Sequence, residues 1–243
     1  GDDGGEDDGG GGDGYSLISE VSVDRHDFRE ETGPGGGAPA EAASRASGDG
    51  TVSLYERTRP FRVRVAIWSA STAMFVMMVV MSATSLAMSK EFGFGLTTVS
   101  TVIQIHVSSM FVPCFFTGEL LARLGKVPVM MGGCVLFAVS VVVGMSGGEA
   151  ANFFGCLVAL GAGWNFLFIG GTQLLVSGCT EKEASKIEAV NEVFVQGSGA
   201  VGALLSGFLV SMSWHTVLWS VTPFIAADFC LLLYFGASEC RLR

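Results

Sequence analysis

GAGWNFLFIGGTQLL, residues 161–175, sets four glycines, an Asn, a Thr and a Gln into a run that is otherwise Trp, Phe, Leu and Ile. A phosphate loop, a core strand and a membrane helix would each put it in a different fold. A dinucleotide loop would need a third glycine three positions after Gly163, where Phe166 stands, and a parallel sheet around it. The stretch instead lies within an apolar run over 151–177, long enough as a helix to cross the ~30 Å hydrocarbon core of a bilayer.

Five further runs of that length flank it, at 64–88, 98–122, 127–147, 186–212 and 215–236. They are continuous rather than alternating, and lipid leaves no water to satisfy an open backbone, so helices are expected rather than strands. With 49% apolar and 15% charged residues and a mean hydropathy of +0.51, the composition excludes an ordinary soluble domain. The predicted fold is an all-α polytopic membrane protein with six transmembrane helices over residues 61–238, followed by a short C-terminus at 239–243.

Residues 1–60 differ from all of this. They hold fourteen acids against five bases, a net of −9, whereas the residues after 60 sum to zero. The segment GDDGGEDDGGGGDG and the Gly, Ala and Ser mixture behind it have too little apolar surface to offset chain entropy, so a disordered acidic linker or tail is expected. The sequence opens on Gly1, and no basic segment followed by a short apolar run precedes the spans. No signal peptide is therefore expected, and the sequence reads as a piece of a longer protein.

Lys and Arg in the short connections set the orientation. Arg57, Arg59, Arg62, Arg64, Arg123, Lys126, Lys182, Lys186, Arg241 and Arg243 fall on one side, and Lys90 alone on the other. Both termini are expected in the cytoplasm.

Small residues recur every four positions within the spans, which puts them on one helix face and lets backbones approach in lipid. Gly155, Ala159 and Gly163 form one such ridge. Gly199, Ala203 and Gly207 form another, with Ser198, Gly202 and Ser206 beside it. Gly170 and Gly171 are expected to let their helix bend, and Pro113 to kink the second span and free a carbonyl.

Polar side chains inside spans cost energy and mark either a helix–helix bond or a path. Gln104 and His106 in the second span, Trp164, Asn165, Thr172 and Gln173 in the fourth, and Asn191, Glu192 and Gln196 early in the fifth are the candidates. Asp228 in the sixth lacks a local base, so it is protonated, paired across helices, or functional. His106 is either a neutral hydrogen-bonding group or a proton-coupling one. The six cysteines show no C-x-x-C pairing, and neither a metal, a cofactor nor a nucleic-acid partner is expected. An intramembrane serine hydrolase would need G-x-S-G, but Gln196 stands where the first glycine before Ser198 belongs, and His215 reads as a loop residue.

Six helices with both ends cytoplasmic behind a long linker resemble the C-terminal half of a major facilitator superfamily transporter. GELLARLGK (118–126) is similar to that superfamily's G-x-L-x-D-R-x-G-R loop, keeping Gly118, Leu120, Arg123, Gly125 and a base at Lys126, with Ala122 in the acid's place. QIHVSSMFVPCFFTGEL (104–120), the opening stretch and EKEASKIEAVNEVFV (181–195) resemble an uncharacterised bacterial-type group of the superfamily. Glu119 stands where that group usually has a base, and Glu192 where it has Asp.

The resemblance implies a secondary active transporter working by alternating access, of which this chain is one half in the lipid bilayer. Its implied partners are a second six-helix half, a small organic solute and a coupled proton. Gln104, His106, Trp164, Asn165, Thr172 and Gln173 would line the solute cavity. Lys186, Asn191 and Glu192, with the loop residues Gly118, Arg123, Gly125 and Lys126, would belong to a cytoplasmic gate, and His106 and Asp228 would be the candidates for proton coupling. A non-transporting subunit or remnant, and less so the hydrolase, stand as alternatives.

Overall fold

The computed structural model describes residues 38–242, and among them there is no strand. The chain divides into two units, residues 1–48 and 49–243, and all six apolar spans fall in the second. Most of the expected acidic tail, residues 1–37, lies outside the described residues. Helix is already present from Ala38, ahead of the expected boundary at 60, where Ala, Glu and Arg are good helix formers.

Among the described residues, seven α-helices build six spans. Helix α1 (Ala38–Leu86) ends in a π-helical turn, Ala87–Glu91. The second span is split into α2 (Leu96–Phe111) and α3 (Cys114–Leu124) at Pro113, whose ring cannot donate to the preceding turn. Then come α4 (Lys126–Met145), α5 (Ala150–Val176), α6 (Glu181–Met212) and α7 (Trp214–Leu242). Each expected span lies on an observed one, with ends displaced by a few residues. His215, expected in a loop, instead sits in the first turn of α7.

The glycines of α5 explain how the bundle closes. Lipid offers no hydrophobic drive between helices, so contact depends on backbones coming close. A Cβ on Gly163 would stand 2.8 Å from Phe137 and 3.0 Å from the Gly133 carbonyl oxygen of α4. One on Gly170 would stand 2.5 Å from Met130, also of α4, and one on Gly171 3.3 Å from the Ala66 carbonyl oxygen of α1. One on Gly161 would collide with Ser109 of α2. Gly170 and Gly171 therefore provide close approach within an unbroken helix. Helix α5 is the hub, touching α1, α2 and α4 in turn.

Helix α6 packs on α1 through a narrower strip. Gly202 would place a Cβ 2.9 Å from the Phe75 carbonyl oxygen, and the Ser198 hydroxyl donates to the Ser71 carbonyl at 2.9 Å. Helix α6 begins with a capping box, in which Thr180 and Glu183 satisfy each other's first-turn donors.

The two ends of the bundle are sealed differently. At one end the Trp214 indole N–H donates to the Gly144 carbonyl at 2.9 Å, its backbone N–H donates to Glu91, and Phe92 and Phe94 pack edge-on against Phe153. At the other, Arg62 donates to the Ser177 hydroxyl at 2.8 Å and lies 3.7 Å from Glu239, while Phe61 packs on Tyr234 and Phe235.

Burial is uneven. In the most apolar stretch of each span, 56% is buried for α1 and for α5, against 17% for α2 with α3 and 28% for α6. Those last two are the open flanks of the bundle, and they expose Phe111, Phe115, Phe116, Phe194 and Phe208.

Candidate functional site

The polar residues expected to form one path fall into two sets. Asn165 is fully buried, and every bond it makes holds the fold together. Its amide nitrogen donates to the Met110 carbonyl at 2.8 Å and to the Cys114 sulfur at 2.8 Å, and its oxygen accepts from the Thr117 hydroxyl at 2.5 Å. These partners bracket Pro113, so Asn165 bridges the break between α2 and α3 from α5. Thr172 spends its hydroxyl on the Phe168 carbonyl of its own helix at 2.6 Å.

The second set has polar atoms left over. His106 is fully buried against α5, where its Nδ1 bonds the Leu157 carbonyl at 2.8 Å and Nε2 has no protein partner. Trp164 stacks on Phe168 at 4.8 Å, and its indole nitrogen is likewise unpartnered. Asn191 on α6 is buried with its Oδ1 unbonded, as is the Ser71 hydroxyl on α1. Among the described residues, helices α1, α2, α5 and α6 thus each contribute a buried side chain with a polar atom left over. Such atoms are rare in folded proteins, which makes this set the candidate site. Ser71 was not signalled by the sequence, because it stands among Ser69 and Thr72 with nothing to separate it from back-bonding hydroxyls.

Gln104, Gln173, Lys186 and Glu192 are exposed. Gln104 lies 3.4 Å from the Ser100 hydroxyl, and Glu192 accepts from Gln196 at 2.7 Å one turn on. Asp228 sits elsewhere, fully buried between α1, α4 and α7, accepting from Ser69 at 2.7 Å and from the Cys134 thiol at 3.5 Å. Among the described residues, no His, Cys, Asp and Glu gather in threes as a metal would need.

The sequence matches the model of the Major Facilitator Superfamily over residues 65–239. The chain belongs to this superfamily. It is 36% identical over 174 residues to the riboflavin transporter RfnT of Brucella anthropi, covering 71% of this chain and 44% of that one. It is 31% identical over 182 residues to the uncharacterised MFS-type transporter YdeG of Bacillus subtilis, covering 73% and 42%, and 31% identical over 148 residues to YddS of the same organism, covering 60% and 34%. The chain spans less than half the length of these curated relatives.

These relatives are named as transporters, and the residues of the hydrolase alternative are engaged elsewhere. The Ser198 hydroxyl bonds the Ser71 and Val195 carbonyls, and His215 is exposed on α7. The superfamily-like loop 118–126 is the α3–α4 corner. Gly125 ends α3 and starts α4 at φ 89°, a conformation open to glycine and strained for other residues. Gly118 is exposed, and Arg123 donates to Glu119 at 2.6 Å, an i,i+4 pair on the outer surface. The carboxylate that Arg123 meets is Glu119's, one turn before it, and Ala122 offers none. Lys126 opens α4 beside Arg62 and Glu239 at the mouth of a cavity.

Proposed function

We propose that this chain is one six-helix half of an alternating-access transporter for a small, largely uncharged organic solute, with both termini cytoplasmic. The observation that carries the reading is the set of four unpartnered buried atoms, Ser71 Oγ, His106 Nε2, Trp164 Nε1 and Asn191 Oδ1. They lie on α1, α2, α5 and α6, and in superfamily transporters each half supplies one wall of a midplane site. The open flanks, α2 with α3 and α6, are the faces this half offers to its counterpart. The relatives' greater length supports a missing second half.

A planar heteroaromatic compound is the first solute to try. One relative carries riboflavin, and the stacked Trp164–Phe168 pair beside an indole N–H suits a flat ring with acceptor atoms. Gln104 and Gln173 add amides at the open edge of the same wall. Asn165 and Thr172 shape that wall from behind, holding α2, α3 and α5 in register. Lys186 and Glu192 on exposed α6, with Arg123 and Lys126 at the α3–α4 corner, form this half's contribution to the cytoplasmic gate. His106 is the proposed proton-coupling group, since its Nε2 is unengaged; Asp228 is the second, through its hydroxyl and thiol donors.

Counterflow of riboflavin and other small heteroaromatics in proteoliposomes, using the protein expressed from its whole reading frame, tests the reading. Trp164→Ala with His106→Ala should abolish exchange while leaving the protein folded. Undiminished exchange in that variant overturns the assignment. The non-transporting alternative predicts no exchange of any solute by the unaltered protein.

A further inference from the structure

Helices α4 and α7 lie side by side, and their seam opens outward at two levels. At the end where α4 starts and α7 finishes is a cavity of about 770 Å³, with Arg62, Lys126 and Glu239 at its mouth and Val127, Met131 and Leu232 among its walls. Further along the same pair lies a groove of about 400 Å³ that is almost wholly apolar, lined by Val135, Ala138 and Val142 from α4 and Ile225 and Phe229 from α7. The lining follows helical spacing from one to the other, Val127, Met131 and Val135 on α4, and Gly236, Leu233 and Phe229 on α7. Val135, Val142 and Leu233 are exposed, so the seam faces outward.

We propose that this seam holds an anionic phospholipid, with its phosphate between Arg62 and Lys126 and one acyl chain along the α4–α7 groove. The level fits. Lys126 is the first residue of its span, Arg62 lies near the start of another, and Glu239 is the last of a third, so the charged mouth stands where headgroups lie. The charge fits too: among the described residues that line the mouth, two cations face one carboxylate, and basic pockets between membrane helices recognise anionic headgroups. Among the described residues Lys126 makes no hydrogen bond or ion pair of its own. The length fits as well: one leaflet's share of the hydrocarbon is roughly 15 Å, about ten residues of helix. A chain anchored at Lys126 therefore reaches the beginning of the second groove at Val135. A free phosphate would engage the mouth and leave the apolar seam unexplained.

The site is separate from the proposed solute wall on α2, α5 and α6, and depends on the proposed orientation only for which leaflet supplies the lipid. The test is native mass spectrometry of the protein from its whole reading frame, in micelles doped with phosphatidylglycerol or phosphatidylcholine. Phosphatidylglycerol should be retained in preference. Lys126→Gln and Arg62→Gln should each lower its retention about fivefold. Arg123→Gln, an exposed cation nearby that pairs with Glu119, should leave it unchanged. Because Arg62 also bonds Ser177, Ala237→Trp gives a second route: it fills the mouth, keeps both cations and should release the lipid. Equal retention of the two lipids, undiminished retention in Lys126→Gln and Ala237→Trp, or displacement by excess inorganic phosphate would overturn the proposal, the last by assigning the mouth to a free anion.

Discussion

Helices α5 and α6 are built from the same materials and do different things with them. Both carry small residues at four-residue spacing, and both bury an asparagine within a mostly apolar sequence. In α5 the glycines Gly155, Gly161, Gly163, Gly170 and Gly171 each lie against another helix, and Asn165 has every polar atom bonded. In α6 only Gly199 and Gly202 meet a neighbour. Around Gly197 and Gly207 a Cβ would meet nothing within 4 Å, and Asn191 keeps an unbonded oxygen. One helix is a scaffold, and the other is a surface awaiting a counterpart. Small-residue spacing permits close packing, but it does not tell which ridges are used.

The largest effect should come from placing a β-branched side chain on each helix. Gly163→Val drives methyl groups toward Phe137 and the Gly133 carbonyl, and a helix backbone cannot step aside as a flexible side chain can. A loss of about 3 kcal/mol is expected, at the upper end for overpacking. Gly207→Val, on the open side of α6, should change stability by less than about 0.5 kcal/mol. Thermal unfolding in detergent measures both. A Gly207→Val protein as unstable as Gly163→Val would show that the open ridge of α6 is packed in the whole protein.

The asparagines come next. Asn165→Leu removes the amide donor to the buried Met110 carbonyl, and leaves the Thr117 hydroxyl with the Pro113 carbonyl alone, where Pro113 has already interrupted the second span. The expected cost is about 1–3 kcal/mol, the penalty for leaving buried partners unsatisfied. Asn191→Leu removes an oxygen that bonds nothing, so stability should hold within about 0.5 kcal/mol. Solute exchange, by contrast, should fall with Asn191→Leu if the proposed function is right. Equal destabilisation by the two changes would show that Asn191 has a structural partner.

The same contrast separates what was legible in the chain from what was not. The six spans were legible because length and continuity of apolar residues are properties of the chain itself, and the α3–α4 corner because GELLARLGK resembles the superfamily's loop, whose second glycine, Gly125, takes the positive φ. The candidate polar residues were legible as a group, since a membrane makes every such residue conspicuous. Which of them were already satisfied was hidden. Asn165 and Asn191 look alike in one dimension, and only the placement of Met110, Cys114 and Thr117 opposite α5 separates them. Asp228 was legible as a buried carboxylate without a local base, but its donors Ser69 and Cys134 come from helices 159 and 94 residues away in sequence. The open seam between α4 and α7 left no pattern at all, because its lining is ordinary lipid-facing apolar sequence.

The smallest effect reverses the comparison. On their outer faces it is α6 that has the satisfied glutamine and α5 the unsatisfied one: Gln196 donates to Glu192 at 2.7 Å one turn back, whereas Gln173 is exposed and makes no hydrogen bond among the described residues. Gln196→Ala should therefore cost a few tenths of a kcal/mol, the worth of an exposed i,i+4 pair, and Gln173→Ala nothing measurable. Exchange kinetics should show the opposite order. If the exposed strip of α5 borders the solute path, Gln173→Ala raises the KM for the transported solute with the protein's stability unchanged, and Gln196→Ala does not. A KM that moves with Gln196 and not with Gln173 would shift the path from the scaffold helix to the open one, and Trp164 would then be a packing residue beside it.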